Sequence, residues 1–353
     1  MKRVAIFQSD LGVGGIQKSL INLLSNLDYE KLQVDLYLSE KSEFWKVNFP
    51  KALNVKYLKP VSSLFKYLPF EIGKKLAAPD FSGCGEYDLA IDFNSYQFSC
   101  AVGACTIPAK RRVMWVHNNV EIKLENEWKY RVLWNAFKGK FKYYDKFVCV
   151  SGALVEPFKR MSGCTDKDFG VIENYIDVSE IRAKAMQKPE GFSVDSSSMN
   201  FVALGRLCHQ KGYDLMLDIF SKACTQRNDI RLYIIGGGDD EESLRQQATS
   251  LGISDKVYFL LNQSNPFCYM DMMDAFISTS RYEGQPLNIM EAMAVGLPLY
   301  CSKNLEQYCS GLQGREDMVT ALVNATKEDK KPDDLVDYNR RIVKSILELA
   351  NSD

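Results

Sequence analysis

The sequence predicts two α/β domains, each built on a parallel sheet covered by helices on both faces. Three observations carry that expectation. Short apolar runs of strand length alternate with helical stretches along most of the chain, the order that gives parallel sheets with crossover helices. At 353 residues the chain is too long for one hydrophobic core, and two domains of about 150 to 190 residues are the natural division. A polar stretch without periodicity, residues 186–200, separates the two halves. The expected division is therefore a first domain at 1–185, a linker at 186–200, a second domain at 201–332 and a closing helix at 333–353.

In chain order, Val4–Gln8 reads as a strand, Ile16–Leu27 as a helix and Val34–Leu38 as a second strand, with further short apolar strands at Asp88–Phe93, Arg112–Trp115 and Phe147–Val150. The second half opens with a strand at Phe201–Leu204 and a helix from about Asp214. Strands follow at Leu232–Ile235, Val257–Leu260 and Ala275–Ser278. Gly284 and Pro286 mark a loop, Leu287–Val295 carries apolar residues at helical spacing, Gly296 and Pro298 end it, and Leu299-Tyr300 starts a strand. From Asp333 the pattern is helical to near Leu349.

Composition narrows the class. A hydrophobic content of 46% and a charged content of 25% are ordinary for globular proteins, and no apolar run approaches the roughly 20 residues that span a bilayer. The N-terminal stretch has an apolar run of only four residues before Gln8 and reads as a strand, not a secretion signal. Ten cysteines without a C-x-x-C pair suit reduced, mostly buried thiols in a cytoplasmic protein. With only His117 and His209 a zinc site is not expected. The one D-x-D, Asp166-Lys167-Asp168, reads as a turn in a polar segment, so no metal is implied.

Charge is unevenly spread. Residues 51–77 hold six lysines and one acid, and residues 110–146 hold ten basic residues and four acids. Aromatics interleave them: Phe65, Tyr67, Phe70, Trp128, Tyr130, Trp134, Phe137, Phe141 and Tyr143. That combination suits an anionic membrane surface or a lipid-diphosphate acceptor, or simply a solvated basic face over an aromatic core. The overall pI of 6.3 argues against nucleic acid.

Candidate chemistry lies in three places. Glu283 and Glu291 stand eight positions apart across the loop and helix start; on composition alone they read equally well as a helix cap and a solvated face residue. The loop DLGVGGIQKSL, residues 10–20, follows the first strand and enters the first helix, where backbone N–H groups meet phosphates. It fails as a P-loop and as a dinucleotide fingerprint because both need Gly where Gln17 stands, and a glycine turn at Gly14 and Gly15 is what is left. Arg206 and Lys211, in GRLCHQKG after the strand Phe201–Leu204, supply cations for a diphosphate. His117 follows a strand of the first half at its carboxyl end; a lone histidine there is more often structural.

The segment RYEGQPLNIMEAMAVGLP resembles the E-x7-E region of the retaining nucleotide-sugar glycosyltransferases of family 4, and GRLCHQKG is similar to their G-R-L…K-G element. The glycine loop, this element and the two-Glu segment stand in the family's order, and IIGGGDDEESL at 234–244, ENYID at 173–177 and VCVSGAL at 148–154 are also similar. The resemblance implies the GT-B architecture, two facing Rossmann-like domains with a C-terminal helix crossing back to the first. It implies that Arg206 and Lys211 bind the donor diphosphate, that Gly14 and Gly15 admit it closely, and that Gly236 and Asn262 lie beside the base. Glu283 would hold sugar hydroxyls, Glu291 the ribose, and Gly284, Pro286 and Leu287 the donor between them. His117 would border sugar and acceptor, orienting rather than attacking, because the donor phosphate itself takes the acceptor proton. No cofactor is implied beyond the donor. Two departures stand out: Leu261 occupies a position commonly Gly, and no glycine-rich loop follows the GLP strand in CSKNLEQYCSGLQG.

The resemblance therefore implies a retaining, metal-independent transferase that moves a hexose or N-acetylhexosamine from a nucleoside diphosphate sugar, UDP favoured, to a lipid-linked or cell-surface polysaccharide acceptor of capsule or lipopolysaccharide type. Its expected place is the inner face of the cell membrane, held peripherally through 51–77 and 110–146. Lys211→Ala is expected to remove activity with little loss of folding. Two rivals stand at this point: a non-hydrolysing sugar-nucleotide epimerase, and a non-catalytic nucleotide-sugar-binding subunit of a synthase.

Overall fold

Residues 1–12, 14–41, 49–309 and 311–352 are described by a computed structural model of the chain, without the side chains of Ser63 and Lys129; Val13 of the glycine loop and the last residue of the closing segment lie outside the described residues. The chain divides into two units, Met1–Tyr175 with Val336–Asp353, and Ile176–Leu335. Residues 186–200 belong to the second unit, as does a helix before them, Val178–Ala185.

The first unit is a seven-stranded parallel sheet: β1 (Lys2–Gln8), β2 (Leu32–Leu38), β3 (Asn54–Tyr57), β4 (Tyr87–Asp92), β5 (Ala109–Val116), β6 (Lys146–Cys149) and β7 (Asp168–Val171), in the order β3-β2-β1-β4-β5-β6-β7. β1 is central, with Val4 opposite Val34 on one side and Leu89 on the other. Its Val4, Ala5, Ile6 and Phe7 are all buried, which is why a strand covered on both faces reads as a continuous apolar run. β3 and β7 are edge strands of four residues with little burial, so they carry no such run and the sequence does not predict them. β7 also corrects the reading of the D-x-D segment: Asp166 lies in a turn, but Asp168 opens the strand and pairs with Lys146 at 2.8 Å. The helix Gly15–Ser25 follows β1, and the closing helix, Val336–Asn351, belongs to this unit and buries Ile342, Ile346, Leu349 and Ala350.

Several aromatics of the two basic segments are core, as the alternative of a solvated basic face over an aromatic core has it. Phe70, Phe137 and Phe141 are buried, and Phe141 packs edge-on to both Phe147 and Phe158, which are tilted to each other, with centroids 5.2 to 6.0 Å apart. Trp128 and Tyr67 stay exposed.

The second unit is a five-stranded parallel sheet, β8 (Met199–Leu204), β9 (Ile230–Ile235), β10 (Val257–Leu261), β11 (Ala275–Ser278) and β12 (Leu299–Cys301), in the order β10-β9-β8-β11-β12. Phe201, Val202, Leu232, Ile234, Phe276 and Ile277 are fully buried between its helical layers. All ten cysteines are free thiols, seven of them buried. Among the described residues no helix is long and apolar enough to cross a membrane.

Candidate active site

The order of the second sheet reverses between β8 and β11, and in an open α/β sheet the carboxyl ends of the strands at such a reversal bound the ligand crevice. β8 runs into Gly205-Arg206, and β11 into the segment that carries Glu283. Local geometry fastens the two exits to each other. Gly212 sits at φ +64°, where a side chain would both strain the backbone and strike the Thr279 carbonyl. Thr279 Oγ1 donates to the Gly212 carbonyl at 2.8 Å, and Arg281 forks onto Asp214 at 2.7 and 2.6 Å. Held this way, Lys211 Nζ reaches Glu283 Oε1 at 2.6 Å, and Gln210 Nε2 donates to the Tyr282 carbonyl at 3.1 Å.

The sequence places Lys211 and Glu283 far apart; the fold makes them an ion pair. Glu283 is 5% exposed and Glu291 8%, so neither is a solvated face residue, and the helix Leu287–Val295 is preceded by Pro286 rather than capped by Glu283. Gly284 and Pro286 are buried and Leu287 is half-buried. Arg206, in contrast, is exposed and has no ion-pair partner among the described residues. A lysine ammonium carries three donors, one of them here engaged by Glu283. The arrangement offers an anion one guanidinium without an ion-pair partner among the described residues, and a second cation beside a buried carboxylate. Sequence reasoning missed Gln210, Asp214, Thr279, Arg281 and Asn288, whose amide donates to the Leu204 carbonyl at 2.7 Å; Gln210 and Asp214 flank the Lys211-Gly212 pair, and that adjacency was the available signal.

Gly236 follows β9 at φ +143°, and a Cβ there would collide with the Gly205 carbonyl, so glycine alone lets this turn lie against the exit of β8. Its N–H donates to the Leu261 carbonyl at 2.8 Å, and Asn262 Oδ1 accepts from Gly237 N–H at 2.9 Å. Asn262 thus braces the glycine turn through its side chain. Leu261 explains its own departure from the family pattern: it sits at φ +56° at a register shift of β10 and is half exposed. Left-handed backbone costs a branched residue about 1–2 kcal/mol, part of which glycine returns as chain entropy. Leu261→Gly is expected to raise stability by up to about 1 kcal/mol, read as a higher urea midpoint; a lower midpoint would mean that the leucine packs more than its backbone strains.

In the first sheet the order reverses between β1 and β4. Asp10 organises the exit of β1, accepting from Ser9 Oγ at 2.6 Å, Gly12 N–H at 2.7 Å and Gln17 Nε2 at 3.3 Å. Asn94, at the exit of β4, donates to Ser9 Oγ at 3.1 Å. Gly14 precedes the helix Gly15–Ser25 in extended backbone, and a Cβ there would meet only the movable Gln17 amide; Gly15 is exposed.

His117 lies just past β5, buried, with Nε2 2.8 Å from the Phe93 carbonyl. A carbonyl only accepts, so Nε2 carries the hydrogen and Nδ1 the lone pair. Burial pulls its pKa down to about 4, against a smaller opposing effect of that hydrogen bond. With the folded value below the ordinary 6.5, the neutral ring contributes stability above that ordinary value, which is lost as pH falls toward the folded one. An NMR titration, with His117→Gln to assign the ring, is expected to leave the His117 signals flat from about pH 8 to about pH 5; a midpoint near the ordinary value would contradict the burial.

Against this geometry stand the known proteins. Residues 189–345 match the model of the family glycosyl transferases group 1, a little under half of the chain. Solved structures extend the likeness to the whole. The crystal structure of Anabaena Alr3699/HepE in complex with UDP and glucose aligns with a TM-score of 0.68 at 18% identity, over 98% of this chain and 99% of that one. The chain has the GT-B fold. Among curated relatives, an uncharacterized glycosyltransferase of Methanocaldococcus jannaschii is 25% identical over 194 residues, 53% of this chain and 47% of that protein. The N-acetylgalactosamine-N,N'-diacetylbacillosaminyl-diphospho-undecaprenol 4-alpha-N-acetylgalactosaminyltransferase of Campylobacter jejuni is 22% identical over 315 residues, 86% of this chain and 81% of that protein. The chain spans about half the length, or less, of several of the curated relatives it matches, the Methanocaldococcus protein among them.

Proposed function

We propose that this GT-B chain is a retaining glycosyltransferase that moves a hexose or N-acetylhexosamine from a UDP-sugar to a lipid-linked or polysaccharide acceptor. The observation that carries the reading is the Lys211–Glu283 pair, with the exposed Arg206 that has no ion-pair partner among the described residues at the exit of β8, at the switch point of the sheet whose residues match the glycosyl transferases group 1 model. Its support for a uridine donor is the UDP bound by the Anabaena structure, and for a lipid-linked acceptor the diphospho-undecaprenol in the Campylobacter relative's name.

The chemistry needs these residue types. As the bond from the anomeric carbon to the donor phosphate oxygen breaks, negative charge grows on the leaving diphosphate, and Arg206 and Lys211 oppose it, each through charge-assisted bonds of roughly 1.5 to 3 kcal/mol. Glu283, oriented by Lys211, accepts from sugar hydroxyls, and Glu291 from the ribose. Gly236 and the Asn262-braced turn bring bare backbone beside the base, flanked by Gly284, Pro286 and Leu287. In the first unit the Gly14-Gly15 turn approaches a phosphate. Neutral His117 orients the sugar, and the acceptor hydroxyl gives its proton to the donor phosphate on the face it attacks, which retains configuration.

Thermal unfolding against UDP, GDP, ADP and CMP is the first test. UDP at about 100 times its dissociation constant should add roughly 2.7 kcal/mol, the others less. Stabilisation by none of them would remove the nucleotide-sugar donor from the proposal. Incubation with UDP-sugars and a polyprenyl-diphosphate saccharide should then give an α-linked product from an α-linked donor with excess chelator present. An inverted product, a chelator-sensitive rate, or an altered free sugar without acceptor would each remove one part of the proposal.

A further inference from the structure

Apolar residues on the surface of this chain are unevenly placed. Elsewhere among the described residues, large exposed hydrophobics such as Met186, Leu215 and Val336 occur singly, and Val55 with Tyr57 on the edge strand β3 form a pair, as is normal. Six lie on three elements of the first unit, the turn Ser63–Tyr67 and the two helices that pack on it, Phe70–Ala77 and Trp128–Phe137. They are Leu64, Tyr67, Ile72, Leu76, Trp128 and Val132, each more than half exposed.

The helix Phe70–Ala77 is the sharpest case. Phe70, Gly73 and Ala77 form its buried face, with Phe70 edge-on to Phe98 at 6.2 Å, yet Ile72 and Leu76 point apolar side chains the other way, one turn apart. Their neighbours are cationic. Lys66 and Lys75 lie on the same two elements, Lys74 sits 3.6 Å from the Tyr143 ring centroid, and Lys138 and Lys142 follow from the adjoining turn. The one acid between residues 59 and 77, Glu71, is already taken by Lys142 and the Tyr143 hydroxyl, both at 2.5 Å. Glu127, before Trp128, pairs with Lys123 at 3.9 Å.

We infer that this face docks on an anionic lipid bilayer, with Leu64, Tyr67, Ile72, Leu76, Trp128 and Val132 entering the headgroup boundary and the lysines meeting lipid phosphates. The charge decides for a lipid surface over a second copy of the chain. Two such faces brought together would set lysine against lysine, whereas an anionic leaflet gains roughly fivefold in binding per lysine near its surface and buries the apolar side chains at once. The inference does not rest on the donor or the reaction proposed above.

Flotation of the full chain with vesicles tests it. Binding to phosphatidylcholine mixed with phosphatidylglycerol is expected to exceed binding to phosphatidylcholine alone by about tenfold and to fall with added salt. Ile72→Glu with Leu76→Glu should lower it by about tenfold while the urea midpoint stays at the wild-type value. Trp128→Asp with Val132→Asp on the neighbouring helix should do the same, which keeps the test open if the first pair fails to fold. Lys74→Gln with Lys75→Gln should weaken binding to the charged vesicles only. Equal flotation on both lipids, wild-type flotation of both apolar variants, or a dimer that these variants dissociate without any vesicle binding would each overturn the inference, the last assigning the face to a second copy.

Discussion

Lys211→Ala is expected to lower turnover by about two to three orders of magnitude, and to weaken the fold as well. The second effect is not what the sequence predicts. Taken as one of two phosphate cations in a loop, Lys211 should be removable without structural consequence. The structure instead sets its ammonium 2.6 Å from the carboxylate of Glu283, which is 5% exposed. Removing one member of a buried pair strands the other charge, at about 3–5 kcal/mol when both are fully buried. Lys211 keeps a fifth of its side-chain surface in water, so the loss should fall below that range. A loss of turnover in Lys211→Ala alone is therefore ambiguous, because Glu283 would be displaced along with the lysine. The double variant Lys211→Ala with Glu283→Gln separates the two causes. If urea unfolding shows stability recovered while turnover stays well below that of Glu283→Gln alone, the ammonium acts on the diphosphate. If turnover equals that of Glu283→Gln alone, Lys211 only positions Glu283, and Arg206 alone opposes the leaving charge.

What could be read from the sequence follows from what each feature depends on. The central strands β1 and β8 were legible because burial on both faces demands an unbroken apolar run. The helix Leu287–Val295 was legible to the residue because Pro286 and Gly296, at φ +92°, fix its ends. The edge strands β3 and β7 were not, since a half-solvated edge leaves no pattern. In the site, residue types announced themselves and their pairing did not. The Lys211–Glu283 contact depends on Gly212 backing onto Thr279, a tertiary approach with no local signature. Leu261 shows the same limit from the other side. Its mismatch was visible as a letter, and only the backbone angle shows that it occupies a left-handed position where glycine would be unstrained. For His117 the position after β5 was foreseeable, but its tautomer is set by the Phe93 carbonyl on another strand's exit.

Lys140→Met should cost about 3–5 kcal/mol, because it strands the most deeply buried charge described in the first unit. Asp92, at the end of β4, is completely buried; it accepts from the Tyr144 hydroxyl at 2.6 Å and lies 3.5 Å from Lys140 Nζ, which also donates to the Ser95 carbonyl. Burial raises the pKa of Asp92, against the opposing pull of Lys140 and of the Tyr144 hydroxyl. Without the ammonium, burial acts with less opposition, and the folded protein holds the carboxyl protonated to higher pH than the unfolded chain does. A carboxyl of that kind favours the fold below its unfolded pKa, and the advantage is lost as pH rises through the folded value. The deficit of Lys140→Met relative to wild type should therefore be smaller at about pH 5 than at about pH 8, and adding Asp92→Asn should remove most of its pH dependence. A deficit equal at both pH values would mean that lost packing of the lysine stem, not a stranded charge, sets the cost. The outcome bears on the candidate site too. Asp92 is followed by Phe93, whose carbonyl holds His117, and by Asn94, which reaches Ser9 beside the glycine loop. A loosened Asp92 should free both anchors together, so the His117 ring signals in Lys140→Met would shift at about pH 8, where the ring is neutral in either state.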